Sequence, residues 1–187
     1  EGGQRSRIDL LSLARQRQND AAMNIATAVF TARSRAARTG RCHRVRIYTG
    51  AQSAVAVDEA VGPDDCATLQ AAGAAAICND GGGTNVNDCS QARTVDNWHR
   101  VSYRSVLATT DPVFSDDHVG LFGSVESDVS YSFFSAGPAG NALYFENTGF
   151  LQTPQEYRFE VELDMGGPER CVRVSAGGAV RFGLCNE

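Results

Sequence analysis

The sequence predicts an α+β fold in which one long N-terminal helix packs against antiparallel β-sheet. Apolar residues recur at three-and-four spacing from about Arg5 to Arg38, and the stretches that follow alternate apolar and polar residues. Several of those stretches are joined by glycine-bearing turns, and no strand-helix-strand alternation occurs, so a parallel dinucleotide-binding sheet is not expected. One domain over 1–187 is expected, with an amphipathic helix over 1–39 and a β-rich head over 40–187.

The helical stripe consists of Leu11, Ala14, Ala22, Ile25, Val29, Ala32 and Ala36, with Gln18 as its one break. Thr39 and Gly40 supply the stop, because glycine tolerates the left-handed geometry just past a helix end. At 1.5 Å per residue the helix reaches roughly 50 Å, longer than a domain of this size is wide, so part of it should project unless it is simply a long core helix. Its halves differ. Small residues surround Ala22, Ile25, Val29, Ala32 and Ala36, which suits close packing on a sheet, and these five are the expected helix-to-sheet core. Between Arg5 and Asp20 the stripe thins to Ile8, Leu11 and Ala14 among arginine and glutamine, and these three are expected to be exposed or shared with another chain.

Beyond the helix, Val45 to Tyr48 and Ala54 to Val57 read as a hairpin around Thr49-Gly50. Residues 62–97 read as a long irregular loop clipped by cysteines, with an alanine run and the polar stretch Asn79 to Asp88. Strand patterns resume at Trp98 to Leu107, Val129 to Phe134, Ala142 to Phe145, Tyr157 to Leu163, Cys171 to Val174 and Ala179 to Leu184. Trp98, Phe133, Phe134, Phe145 and Phe159 are the expected aromatic core.

The chain of 187 residues carries a formal net charge of -5 that conceals a split. The first fifty residues hold ten arginines against three acids, and the rest hold seven arginines against nineteen acids. Such polarity can orient head against base in an assembly or draw the base to anionic lipid, although solvated helix faces would also produce it. Every basic residue is arginine, which reads as composition bias rather than function.

The six cysteines lack a C-x-x-C pair, and the three histidines do not supply finger-like zinc spacing, so disulfides in an oxidising compartment are favoured. Cys171 with Cys185 is the first expected bridge, since a three-residue hairpin loop over 177–179 would set them directly opposite. Among Cys42, Cys66, Cys78 and Cys89 three pairings exist, and Cys42 with Cys89 plus Cys66 with Cys78 is preferred. No nucleophile elbow, phosphate loop, H-E-x-x-H or EF-hand pattern occurs. Asp116-Asp117-His118 reads as a solvated turn and Asn79 to Asp88 as a flexible loop rather than a Ca²⁺ site. No catalytic residue, metal site or cofactor is expected.

Ala32-Arg33-Ser34-Arg35-Ala36-Ala37-Arg38, followed at once by the strand around Val45-Arg46-Ile47, resembles the helix-to-strand passage of type IV pilin-like proteins of the FimT/GspH group. Tyr144 to Phe150 is similar to that group's strand, polar turn and glycine, and Cys171 to Arg181 to its closing hairpin. The order of the segments carries the likeness, which covers about half the chain; residues 58–140 contribute nothing to it.

The resemblance implies a structural headpiece whose membrane-spanning, filament-core segment would precede Glu1. It implies a minor pilin near the tip of a type IV pilus that helps initiate assembly and connects other minor pilins, or the corresponding pseudopilin of a type II secretion system. The partners would be other minor pilins or pseudopilins, and the inner membrane through the preceding segment. Location would be the inner membrane and periplasm of a Gram-negative bacterium before assembly and the cell-surface pilus afterwards. One branch of the family captures DNA through a C-terminal Gly-Arg-x-Arg motif. Here Gly178, Ala179, Val180 and Arg181 stand at those positions, so the first arginine is absent, and Arg173 with Arg181 inside an acidic head argues against DNA as a partner.

Overall fold

Gly40 ends the first helix, α1, which runs Gly2–Thr39. At φ 67° it takes the left-handed conformation, and its N–H donates to the Ala36 carbonyl at 3.0 Å, which satisfies one of the last-turn carbonyls. The Thr39 hydroxyl donates to the Arg35 carbonyl at 2.9 Å. The 38 residues of α1 span about 57 Å. The computed structural model describes residues 2–48, 54–62, 65–71, 94–95, 97–105, 129–134, 142–163 and 168–186.

Nine strands are described, in two antiparallel sheets. The first has the order β3-β4-β2-β1-β6 and consists of β1 (His43–Tyr48), β2 (Ala54–Ala60), β3 (Thr94–Val95), β4 (Trp98–Ser105) and β6 (Ala142–Phe145). The second has the order β5-β7-β8-β9, with β5 at Val129–Phe134, β7 at Tyr157–Leu163, β8 at Arg170–Val174 and β9 at Val180–Leu184. The α+β class follows: one N-terminal helix lies against both sheets, contacting β1 and β2 of the first and β7, β8 and β9 of the second.

Side-chain alternation divides the first sheet cleanly. Val45, Val55, Val57, Leu143 and Phe145 face the helix and join Ala22, Ile25, Val29, Ala32 and Ala36 in the main core, together with Phe159, Val161, Val172 and Val174 of the second sheet. A smaller apolar cluster of Cys42, Ala60, Cys66, Leu69, Trp98, Ala142 and Tyr144 lies on the opposite side. Both faces of this sheet are therefore buried.

Four sequence expectations need correction. The loop expected over 62–97 contains a short helix, α2 (Cys66–Ala71), and the small strand β3. Asp65 starts α2: its carboxylate accepts from the Thr68 N–H at 2.7 Å and its carbonyl from the Leu69 N–H at 3.1 Å. Cys42 bridges to Cys66, with Cα atoms 5.2 Å apart, so neither Cys42 with Cys89 nor Cys66 with Cys78 forms. The reason is tertiary, since α2 lays Cys66 against the start of β1. Cys78 and Cys89 lie outside the described residues, as do Asn79 to Asp88 and Asp116-Asp117-His118.

Cys171 and Cys185 do form a bridge, with Cα atoms 4.8 Å apart, but the hairpin register differs from the expected one. Val174 pairs with Val180 and Cys171 with Gly183, because the turn closes at Ser175, whose N–H donates to the Ala179 carbonyl. Gly178, at φ 79°, supplies the left-handed turn residue. Cys185 thus lies two residues past the partner of Cys171 and reaches it diagonally from the turn that follows β9. Finally, Gln18 does not interrupt the buried stripe. It is 2% exposed and belongs to it.

Candidate functional site

The helix presents two unlike faces. Ala22, Ile25, Val29, Ala32 and Ala36 each have zero exposure, while Met23 is 51% and Phe30 65% exposed. Met23 and Phe30 are seven residues apart and stack on one stripe of the outer face. Ile8, Leu11 and Ala14 belong to α1 by backbone, but their side chains lie outside the described set. Gln18 anchors the helix to the second sheet: its Nε2 donates to the carbonyls of Val161 at 2.7 Å and Pro168 at 3.1 Å. An amide side chain in an apolar stripe looks like a fault in sequence, yet here it satisfies backbone carbonyls next to the second sheet.

The three segments that carry the family likeness meet at Arg33. Its guanidinium donates to the Gly178 carbonyl at 3.3 Å, joining α1 to the closing hairpin. Gly149, at φ 81°, brings the turn after β6 against the helix, where an added Cβ would lie 3.2 Å from both the Ala37 Cβ and the Arg33 carbonyl oxygen. At Gly178 an added Cβ would lie 3.1 Å from a ring carbon of Phe145. That turn is closed by the Glu146 N–H to the Phe150 carbonyl at 2.8 Å and the Gly149 N–H to the Glu146 carbonyl at 2.7 Å. Only glycine permits both the backbone conformation and the close approach.

Two charge clusters secure the first sheet. Asp58 faces Arg44 across β1 and β2 and Arg100 across β2 and β4, the latter through a register shift at Val57/Asp58. Its two carboxylate oxygens accept from Arg44 Nε at 2.8 Å and Arg100 Nε at 3.1 Å, and all three side chains are at most 1% exposed. The Arg44 guanidinium also lies 4.3 Å from the centre of the Trp98 ring. At the helix end, Glu59 receives Arg35 at 3.2 Å and Arg41 at 3.5 Å, with His43 Nε2 at 3.2 Å.

Burial disfavours the His43 imidazolium more than the Arg41 carbonyl and Glu59 favour it, so His43 titrates below its ordinary value. Burial works against the Glu59 carboxylate too, but the hydrogen bond from Arg35 and the charges of His43, Arg35 and Arg41 outweigh it, and Glu59 titrates low. These clusters bind strands and helix to one another rather than forming an acid-base pair aimed at a ligand.

A hollow of about 650 Å³ beside the Cys42–Cys66 bridge has Arg41, Asp65, Glu146, Asn147 and Gln152 among its lining residues. Among the described residues, one group has metal-like spacing, Glu160 with Cys171 and Cys185, but both sulfurs are committed to the disulfide. On the closing hairpin, Arg173 donates to the Cys185 carbonyl at 2.6 Å, while Arg181 is exposed.

The crystal structures of the type IV minor pilin FimU from Pseudomonas aeruginosa PAO1 match 92% of this chain and 92% of theirs in one crystal form, at a TM-score of 0.53 and 13% identity. In a second crystal form the values are 90% and 94%, 0.51 and 12%. The chain has the fold of a type IV minor pilin. The minor pseudopilin EpsH of the Vibrio cholerae type 2 secretion system also matches, over 90% of this chain and 98% of its own, at a TM-score of 0.48 and 11% identity. No family model matches the sequence, and no curated protein matches it. Within this pilin-like fold, Arg33, Gly149 and Gly178 form the seam between helix, β6 turn and closing hairpin. No described helix is long and apolar enough to cross a membrane.

Neither spacing nor composition distinguished Gln18, Asp58, Gly149 or Gly178 as connectors. Asp58 could have been found as a carboxylate in the strand Ala54–Ala60 that the hairpin sets opposite Arg44, while the resemblance marked Gly149 and Gly178 as part of a turn and a hairpin without showing what they touch.

Proposed function

We propose that this chain is a structural minor subunit of a type IV pilus, placed near the tip, where it helps initiate assembly and connects other minor pilins. The supporting observation is the likeness in fold to FimU over nearly the whole of both chains. The physical logic requires no catalytic centre. The described side chains from Gln18 to Ala36 pack on the head, and this reading assigns the earlier turns of a helix about 57 Å long to packing among neighbouring subunits. Exposed arginines such as Arg15 and Arg38 line the cationic base, and the acidic head of an adjacent subunit is their natural counterpart.

The protein is one domain in this reading, anchored in the inner membrane before assembly by a segment preceding Glu1. The test is affinity purification of the tagged full-length protein from its own cells after mild crosslinking. Recovery of other minor pilins supports the proposal; recovery of secretion pseudopilins would move the function to that machine, and recovery of neither would refute the subunit role. DNA binding should be absent in a mobility-shift titration near physiological salt, because Arg181 is the one exposed arginine of the closing hairpin. Submicromolar binding lost in Arg181→Ala would make DNA uptake the function instead.

A further inference from the structure

Arg158, Arg173 and Arg181 form a single row across β7, β8 and β9. Arg158 pairs with Arg173, and Arg173 pairs with Arg181, so all three project from the same face, the one turned away from α1. Like charges directly opposite each other on neighbouring strands are unfavourable. Arg158 is offset by Glu160, to which it is ion-paired, and Arg173 is bound to the Cys185 carbonyl. By the same alternation that face of β7 also carries Glu160 and Glu162, both on the far side of β8 from β9, so Arg181 has no acidic residue beside it on its own strand. Arg181 is the outermost, beside a hollow of about 180 Å³ lined by Cys171, Arg173, Arg181, Phe182, Gly183 and Leu184.

Among the described residues the row ends at a strand edge, where β9 pairs with β8 alone. The phase of its free groups follows from the bonds at its two ends, the Ser175 N–H to the Ala179 carbonyl and the Cys185 N–H to the Glu169 carbonyl. In an antiparallel pair hydrogen-bonded positions alternate, so Arg181 and Gly183 bond inward to β8. Val180, Phe182 and Leu184 therefore direct their N–H and C=O groups outward. Phe182 is also 40% exposed.

We propose that the β9 edge is a docking site for an extended, carboxylate-bearing strand of a partner protein. An added strand would repeat the existing rung, placing an acidic residue across from Arg181 and an apolar one across from Phe182, with backbone bonds to Val180, Phe182 and Leu184. A strand fits better than a nucleic acid. With Arg158 and Arg173 already engaged, few phosphates would find a cation, whereas the outward backbone groups need no charge at all and match only another strand.

The probe is a short capped peptide alternating valine and glutamate, tested against the full chain beside the same peptide with glutamine for glutamate and a single-stranded oligonucleotide. Saturable binding of the acidic peptide is expected, weakening with salt, with slowed amide exchange at Val180, Phe182 and Leu184. Arg181→Glu should weaken binding by about tenfold, equivalent to reversing one close charge contact. Phe182→Pro removes an outward N–H without removing a β8–β9 bond and should abolish binding, with the melting curve of each variant recorded to show that it is folded. Equal binding of the glutamine peptide would overturn the charge argument. No binding at millimolar peptide, or preference for the oligonucleotide, would overturn the proposal.

Discussion

Replacing Asp58 with asparagine should cost far more than its change of one atom implies. Asp58 lies buried between Arg44 and Arg100 and is a hydrogen-bond acceptor to both. Asparagine keeps one acceptor oxygen and turns an N–H₂ group toward the second guanidinium, so a charge-assisted bond worth about 1.5–3 kcal/mol becomes a donor facing a donor. The carboxylate charge between two buried cations is lost as well, and breaking one member of such an arrangement costs about 3–5 kcal/mol in total. Taking about 4 kcal/mol, a domain of this size should lose roughly 8–16 °C of melting temperature and a large share of a typical stability of 5–15 kcal/mol. Urea unfolding followed by circular dichroism measures it directly. A second variant checks the cause: with Asp58→Leu, Arg44→Met and Arg100→Met combined, the buried charges are gone and stability should return to within a few kcal/mol of the parent. An Asp58→Asn variant within about 1 kcal/mol of the parent would refute the reasoning.

Gly149→Ala should destabilise by at least about 1–2 kcal/mol, because it combines a left-handed backbone with contacts of 3.2 Å to Ala37 and Arg33; Gly40→Ala, with open space around it, should lose the conformational part alone. His43 and Glu59 both titrate below their ordinary values of 6.5 and 4.5, so the unfolded chain binds their protons first. Urea midpoints should therefore be highest above about pH 6.5, decline as His43 is protonated and decline again below about pH 4.5; midpoints that rise between pH 7 and 5.5 would show that the imidazolium pairing with Glu59 outweighs burial. Hydrogen exchange of the isolated protein should show protection in α1 from Gln18 to Ala36 and much less before it, and uniform protection from Ile8 onward would contradict a divided helix. Ile25→Asp should prevent folding by burying a charge, whereas Leu11→Asp should fold normally and fail in subunit association.

The amino-acid sequence by itself determined the long helix, the longer strands and their faces. Three-and-four spacing identified the helix and the five residues at zero exposure on its sheet side, and strand patterns, most of them alternating, located every described strand longer than two residues to within a few positions. These features are local: a side chain's face follows from its position in a helix or strand, whatever lies across from it. Gly40 as a helix stop is local for the same reason. What depends on contacts between distant segments was decided only by the tertiary structure.

Gln18 looked like an interruption because its acceptors, Val161 and Pro168, lie more than 140 residues away. The Cys42–Cys66 bridge depends on α2, a helix too short to show a period, coming to rest against β6 beside the residue that precedes β1. The hairpin register turned on which residue closed the loop, a choice between Ser175 and Ala176 that side-chain alternation cannot make, since a shift of the pairing sum by two leaves every side chain on the same face. Gly149 and Gly178 are ordinary turn glycines in sequence and become necessary only where the turn and hairpin press against Arg33 and Phe145. Local periodicity constrains which face is buried; only packing constrains what that face touches.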